Sequence, residues 1–159
     1  MGASIRVLYF WMILLYGLHT AKAQLSKVHY IPPIAAHGAS NSNAFPRDQY
    51  IYISTPATQN VNYVIAPMGA AQEDYISGTV SNSGPQRYDI GSGESAFVVV
   101  DTATDAGVVV DDRGYVITAD APIFVALRLR ASTRTGTSFP QAGALVSKGL
   151  SALGTSFRT

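Results

Sequence analysis

The chain contains one long and regular strand pattern, Pro122-Ile123-Phe124-Val125-Ala126-Leu127-Arg128-Leu129-Arg130-Ala131. Successive side chains of a strand point to opposite faces, so the branched aliphatic residues share one face: Ile123, Val125, Leu127 and Leu129. The other face holds Phe124 and Ala126, followed by Arg128 and Arg130. This alternation predicts a strand with one buried face, whose second half directs both arginines to solvent.

Shorter segments with the same two-residue period lie on both sides of this strand. Residues 49–55 alternate two tyrosines with two isoleucines, and residues 61–66 follow after a short polar linker. We expect these two segments to pair as antiparallel strands. The other predicted strands are residues 74–80, 86–90, 96–100 (a central one), 107–110 and 115–120, with 142–148 undecided between strand and helix.

These segments predict the fold class. Eight to ten short strands at hairpin spacing, without a long i, i+3, i+4 apolar stripe, favour an all-β, antiparallel β-sandwich-like module. Residues 35–48 are rich in Asn, Ser and Ala and are expected to form a loop. The length of 159 residues fits about one domain.

The first 23 residues have the pattern of a secretory signal peptide. Arg6 precedes an apolar run of 12 residues, 7–18, and Ala21-Lys22-Ala23 forms an A-x-A cleavage site before Gln24. The run is too short for a membrane-spanning helix, which needs about 20 apolar residues. We therefore expect a signal-peptide helix over 1–23, a β-rich module over 24–159, and an exported protein that meets the membrane only before cleavage.

Composition and charge exclude several function classes. Cleavage removes two of the 11 Lys and Arg residues and none of the 10 acidic ones, so the net charge changes from +1 to −1. This balance does not suit a nucleic-acid-binding domain, which carries clustered basic residues. The absence of cysteine excludes disulfides, cysteine-ligated zinc and a cysteine nucleophile.

Arginines and tyrosines supply the candidate ligand surface. Arg128, Arg130 and Arg134 form a small basic stripe that could hold a sulfate, a carboxylate or an acidic glycan, although such a stripe also serves as a solvated face. Tyr50 and Tyr52 are the leading members of a set of tyrosines expected to be exposed, which also contains Tyr63, Tyr75, Tyr88 and Tyr115. Such rings could contact a sugar or a protein, or pair across strands.

Catalytic and metal sites find little support in the sequence. His29 and His37 are the histidines left after cleavage, and no G-x-S-x-G motif accompanies them, so a packing role is expected for His29 and a loop position for His37. Five aspartates lie within 20 residues, and oxygen-rich loops can bind calcium, but the calcium-loop spacing is missing. These aspartates are Asp101, Asp105, Asp111, Asp112 and Asp120. We expect no cofactor, with calcium as the one candidate.

Three segments carry a resemblance to a known family: residues 24–33 (QLSKVHYIPP), 49–56 (QYIYISTP) and 141–158 (QAGALVSKGLSALGTSFR). Together they resemble the N-terminal region of large exported bacterial proteins of the gliding-motility-associated type. Those proteins begin with a domain similar to the N-terminal domain of IgG-Fc-binding protein and typically end in a sorting domain for type IX secretion.

The resemblance implies a β-rich, non-enzymatic surface module with a role in adhesion, and it offers no catalytic residues. No residue here marks an Fc site. The family's proteins are much longer, so the resemblance also implies that the module is truncated at its C-terminal end.

The sequence therefore predicts a non-catalytic exported module of an adhesin-like protein, found at the cell surface or outside the cell. Its partner would be a surface protein or a glycan. The alternative is a secreted carbohydrate-binding module that uses exposed tyrosines with Arg128 and Arg130. A third hypothesis, a secreted hydrolase, requires a pocket that joins His29 or His37 to an acidic residue and a nucleophile.

The A-x-A site predicts the mature N-terminus. Exported protein should begin at Gln24, partly cyclised to pyroglutamate, because the small side chains of Ala21 and Ala23 suit the signal peptidase. Intact-mass measurement of protein recovered from the medium or cell surface tests this. An exported chain that still begins at Met1 would contradict the prediction.

Overall fold

The structure, a computed structural model, describes residues 25–37, 45–93, 98–101, 112–133 and 135–152. Within these ranges the secondary structure is mostly antiparallel β-sheet, which confirms the predicted all-β class. The strands are β1 (Ser26–Ile31), β2 (Ile34–His37), β3 (Phe45–Ser54), β4 (Val61–Pro67), β5 (Ile76–Val80), β6 (Gln86–Gly91), β7 (Val98–Asp101), β8 (Tyr115–Ser132) and β9 (Gln141–Ser147). Two short 3-10 helices span Gln72–Asp74 and Gly149–Ala152.

Several predictions fall outside the described ranges. They are the signal peptide with Ala21, Ala23 and Gln24, the strand at 107–110, and Arg134. Among the residues that are described, no helix has the length and apolar character needed to cross a membrane.

Strand β8 organises the main sheet, which contains seven strands. Its N-terminal half pairs with β1 and β4, and its C-terminal half pairs with β3 and β9, all antiparallel. Strand β5 extends the sheet beyond β4, and β6 extends it beyond β3. Strands β2 and β7 form a separate parallel ladder, with Ile34 opposite Val98.

An irregularity near the middle of β8 bends the sheet toward a barrel. Between Ser26 and Val28 of β1, the partner on β8 changes from Ile123 to Thr118, so two steps on β1 match five on β8. Extra residues in one strand of a ladder bend it and increase its twist. Buried residues from both halves of the sheet consequently meet in one core.

Hydrogen bonds from neighbouring segments hold this bend. The Thr55 hydroxyl donates to the carbonyl oxygen of Pro122 at 3.0 Å. The Asp120 carboxylate accepts from the Asn62 backbone N–H at 3.1 Å and from its Nδ2 at 2.7 Å. The entry to β4 is therefore tied to the bend of β8.

The core confirms the alternation of buried and exposed residues that is predicted for residues 122–131. Ile123, Val125 and Leu127 have no solvent exposure, whereas Arg128 and Arg130 are exposed, as predicted. In β3 the isoleucines face the core and the tyrosines face outward. The core also contains Ile31, Ile51, Ile53, Val61, Tyr63, Ile65, Val80, Tyr115 and Ile117.

Strand pairing differs from the sequence prediction in several places. Residues 115–120 and 122–131 belong to one strand, not two, and residues 142–148 coincide largely with β9. The expected pairing of 49–55 with 61–66 is wrong, because β3 and β4 each pair with β8 in succession. Their linker does not reverse the chain into a hairpin, since Thr55 is anchored on the β8 bend.

Two further expectations are wrong. Residues 35–48 are not a continuous loop, because β2 ends at His37 and β3 begins at Phe45. The segment 96–100, expected as a central strand, contributes β7 to the two-stranded ladder instead. Residues 38–44 lie outside the described ranges.

Leu127→Ala should destabilise the fold by about 2–5 kcal/mol, because it leaves a cavity in a close-packed core. Val146→Ala is the matched control on the neighbouring strand, since Val146 is 49% exposed and its truncation should stay within about 0.5 kcal/mol. Urea unfolding followed by circular dichroism measures both. Equal losses of stability in the two variants would contradict the assignment of Leu127 to the buried face of β8.

Candidate functional site

A shallow, open depression of about 620 Å³ lies on the outer face of the sheet formed by β6, β3, β8 and β9. We call it the Arg–Tyr depression. Its lining includes Tyr50, Tyr52, Arg87, Arg128, Arg130, Ala142 and Ala144. Of the arginines and tyrosines that the sequence analysis named as a ligand surface, the structure brings four together here: Tyr50, Tyr52, Arg128 and Arg130.

The hollow arises because small side chains stand beside long ones. On β9, Ala144 lies opposite Arg128 and Ala142 lies opposite Arg130. Directly opposed residues of an antiparallel pair have Cβ atoms about 5 Å apart, so their size difference shapes the surface. The alanines form a low side, and the arginines and tyrosines rise next to it.

Two arginines stack on the two tyrosines in a crossed arrangement. The register places Arg87 opposite Tyr52 and Arg128 opposite Tyr50. Each guanidinium instead reaches the other ring: Arg87 Cζ is 5.0 Å from the Tyr50 ring centre, and Arg128 Cζ is 5.2 Å from that of Tyr52. The two rings meet edge to face at 6.3 Å. Cation–π contact at these distances favours these positions of both guanidinium groups, by about 0.5–1 kcal/mol each at an exposed site.

Arg130 has a different environment from its neighbours. It forms an ion pair with Asp48, which lies opposite it in the register. Its Cζ is also 4.1 Å from the ring centre of Phe139. The hydrogen bond to Asp48 raises the pKa of Arg130 above its ordinary value, and the charge of Arg130 is balanced locally.

Arg87 and Arg128 differ from Arg130 in having no carboxylate partner. Within the described ranges neither forms an ion pair or a hydrogen bond to a protein acceptor. Each guanidinium carries five N–H donors. The depression therefore presents two ring-stacked cations with donors available to a ligand. Sequence reasoning missed Arg87, because nothing in its own strand signals that it would lie beside Tyr50.

The expected exposure of the tyrosines is only partly confirmed. Tyr75 is exposed, and Tyr50, Tyr52 and Tyr88 are half-buried. The predicted exposure of Tyr63 and Tyr115 is wrong. The two residues are 2% and 5% exposed, because they lie on the inward face of their strands.

Tyr63 belongs to the core rather than to a binding surface. Its ring meets that of Tyr88 edge to face at 5.9 Å, and the two hydroxyl groups are hydrogen-bonded. Burial raises the pKa of Tyr63. A Cβ at Gly78 would overlap the Tyr63 hydroxyl, so the glycine that weakens the β5 pattern makes room for this pair.

His29 is fully buried where β1 begins and β9 ends. Its Nε2–H donates to the carbonyl oxygens of Ile123 at 2.9 Å and Ser26 at 3.2 Å, since a carbonyl can only accept. Its Nδ1 therefore accepts from the Ser147 hydroxyl at 3.0 Å. This arrangement confirms the packing role expected for His29.

The His29–Ser147 pair does not form a catalytic triad. In a triad one ring nitrogen meets the nucleophile and the other a carboxylate, but here the second nitrogen meets backbone carbonyls. Burial lowers the pKa of His29, and hydrogen bonds to Ile123, Ser26 and Ser147 oppose that shift. The His37 side chain lies outside what the structure describes.

The calcium candidate gains no support from the described aspartates. Both carboxylate oxygens of Asp120 accept hydrogen bonds from Asn62, and Asp112 forms an ion pair with Arg113 at 3.9 Å. Within the described ranges no group of three or more His, Asp or Glu residues could hold a metal ion. The side chains of Asp101, Asp105 and Asp111 lie outside the described residues.

Comparison with protein-family models, curated proteins and solved structures finds no significant match. The resemblance to gliding-motility-associated proteins therefore depends on the three sequence segments alone.

The buried His29 predicts a loss of stability in mild acid. Its folded-state pKa lies below the unfolded value of about 6.5, so the unfolded chain takes up a proton that the folded chain does not. Stability is complete above about pH 6.5 and falls as the pH drops toward the folded-state pKa, with a slope of up to about 1.4 kcal/mol per pH unit.

His29→Gln should flatten this slope, and His37→Asn is the matched histidine control. Urea unfolding at a series of pH values between about 7 and 5 measures the slope, in a range above the ordinary pKa of most carboxyl groups. A slope that persists in His29→Gln and disappears in His37→Asn would contradict the assignment.

Proposed function

We propose that the chain is a non-catalytic, exported recognition module of an adhesin-like surface or secreted protein. It binds its ligand, a glycan or a surface protein, at the Arg–Tyr depression. The observation that carries the proposal is the pair of guanidinium groups, Arg87 and Arg128, which stack on aromatic rings without an acidic partner in the described chain.

The rigidity of this surface favours binding. All its side chains come from paired strands, and two of the arginines stack on tyrosine rings. A group already held in its binding position loses little conformational entropy when a ligand arrives, so more of the interaction energy contributes to affinity.

The chemistry of the lining favours recognition over catalysis. The depression is lined by arginine, tyrosine and small apolar residues, and His29 is buried elsewhere. General acid–base catalysis usually needs a His or carboxyl group near the reacting atoms. Of the two carboxylates beside the depression, Asp48 is engaged by Arg130, and Asp89 accepts a hydrogen bond from the Gly91 N–H.

The export part of the proposal comes from the sequence. Residues 1–23 have the signal-peptide pattern, and the chain lacks cysteine. The three family segments support an adhesin-like protein of the gliding-motility-associated type, exported by type IX secretion.

A second candidate is a secreted carbohydrate-binding module. It is favoured by the combination of half-buried tyrosine rings with free guanidinium donors in an open, shallow depression. Sugar sites combine apolar contact with a few polar groups that fix orientation. The two candidate functions use the same surface. The adhesin-like module binds a glycan or a surface protein, whereas the carbohydrate-binding module binds carbohydrates only.

Filling the depression tests the proposal without assuming the ligand. Ala144→Trp places a large ring at the low side and should weaken binding at least about tenfold, because the ligand loses its contact surface. Val146→Trp is the matched control on the same strand, since Val146 is exposed and outside the lining. Mature protein is applied to arrayed glycans and immobilised extracellular proteins.

Thermal unfolding establishes that both variants remain folded. Wild-type binding that survives Ala144→Trp unchanged, or a wild type that binds nothing on either array, would overturn the proposal.

A further inference from the structure

We infer that the Arg–Tyr depression binds the sulfate or carboxylate groups of an acidic polysaccharide, and that Arg87 and Arg128, rather than Arg130, take them. The inference depends on the proposed function and names its ligand class. It also replaces the sequence-based pair, Arg128 with Arg130, by a different one.

The state of each guanidinium decides which arginines bind. Arg130 already pairs with Asp48, so a ligand would have to compete with an internal carboxylate. Arg87 and Arg128 have no such partner among the described residues. Their planar groups match the geometry of a carboxylate or sulfate, which accepts two parallel N–H bonds.

The placement of the two cations on neighbouring rings favours a polymer with repeated acidic groups. Arg87 lies over the Tyr50 ring and Arg128 over the Tyr52 ring, and these rings are 6.3 Å apart. The surface thus offers two oxyanion positions next to each other. A chain with repeated acidic groups can occupy both, and the second contact then forms without a new loss of translational freedom.

One acidic side chain opposes the ligand and so sharpens the test. Asp89 lies opposite Tyr50 in the register and is exposed. Its carboxylate accepts a hydrogen bond from the Gly91 N–H at 2.9 Å, and no arginine neutralises it within the described chain. Its charge repels an anion at the depression, so removing that charge should strengthen binding.

The charge distribution favours an acidic glycan over a nucleic acid. The mature chain has a net charge of −1, and nucleic-acid-binding surfaces carry extended basic stripes. Here the two unpaired arginines lie side by side in one shallow depression that tyrosines and alanines also line. Such a site suits a short run of acidic sugar units.

The experiment uses polymer pairs that differ only in charge. Biolayer interferometry measures binding of mature protein to dextran sulfate and dextran, to polygalacturonate and its methyl ester, and to single-stranded DNA. Wild type should bind dextran sulfate or polygalacturonate and not its neutral counterpart. The pair that binds distinguishes sulfate from carboxylate recognition.

Single variants then separate the arginines. Arg87→Ala and Arg128→Ala should each weaken binding about tenfold, the loss typical of a charge-assisted hydrogen bond. Arg130→Ala should change it less than about threefold, and Asp89→Asn should strengthen it. The double variant Lys27→Ala with Lys148→Ala removes two exposed charges outside the depression and should leave affinity unchanged.

The outcomes distinguish this inference from the proposed function. Equal binding of dextran and dextran sulfate, abolished by Ala144→Trp, overturns the acidic ligand and leaves the proposed function standing. Equal losses in Arg130→Ala and Arg128→Ala, or DNA binding as tight as that of the acidic polysaccharide, also overturn the inference. A wild type that binds none of the polymers and nothing on either array overturns both proposals.

Discussion

The fold depends on hydrogen bonding along both edges of β8. The strand spans Tyr115–Ser132, and it pairs with β1 and β4 in one half and with β3 and β9 in the other. A slip of one residue would turn every inward side chain of a strand to solvent. Because the inward residues of β8 include Ile117, Ile123 and Leu127, the core fixes its register, and the register of β8 in turn positions four neighbouring strands.

The bend in β8 converts this pairing into a closed core. A flat strand of this length would carry its partners in one plane and leave one face of the sheet without cover. The extra β8 residues opposite the start of β1 bend the strand, and Thr55 and Asp120 hold the bend through hydrogen bonds. His29 acts at the same place, because it joins the start of β1 to Ile123 and to Ser147 at the end of β9. Hydrogen bonds of polar groups thus stabilise the bend of β8, which the alternation of apolar residues does not itself determine.

The sequence predicts local facing well and long-range pairing poorly. Alternation within residues 122–131 was sufficient to assign the buried and exposed faces, since each face is uniform in polarity. The expected exposure of Tyr63 is wrong, because Tyr63 shares its phase with Val61 and Ile65 and faces the core with them. Arg87 could not be assigned to the site at all. Its neighbours come from β3, and that pairing is set by tertiary contacts rather than by any pattern within residues 86–90.

The composition of β9 connects the fold with the surface it presents. Gly143 lies opposite Leu129 across the pair, and both residues line the Arg–Tyr depression beside the alanines. The alanines on its outer side leave the hollow beside Arg128 and Arg130. The small residues that leave this segment ambiguous between strand and helix therefore form the low side of the depression. Among the main-sheet strands β9 pairs only with β8 in the described chain, so its anchoring through Ser147 and His29 also stabilises one side of the Arg–Tyr depression. Strand β9 thus lines the Arg–Tyr depression near its N-terminal end and hydrogen-bonds to the buried His29 at its C-terminal end.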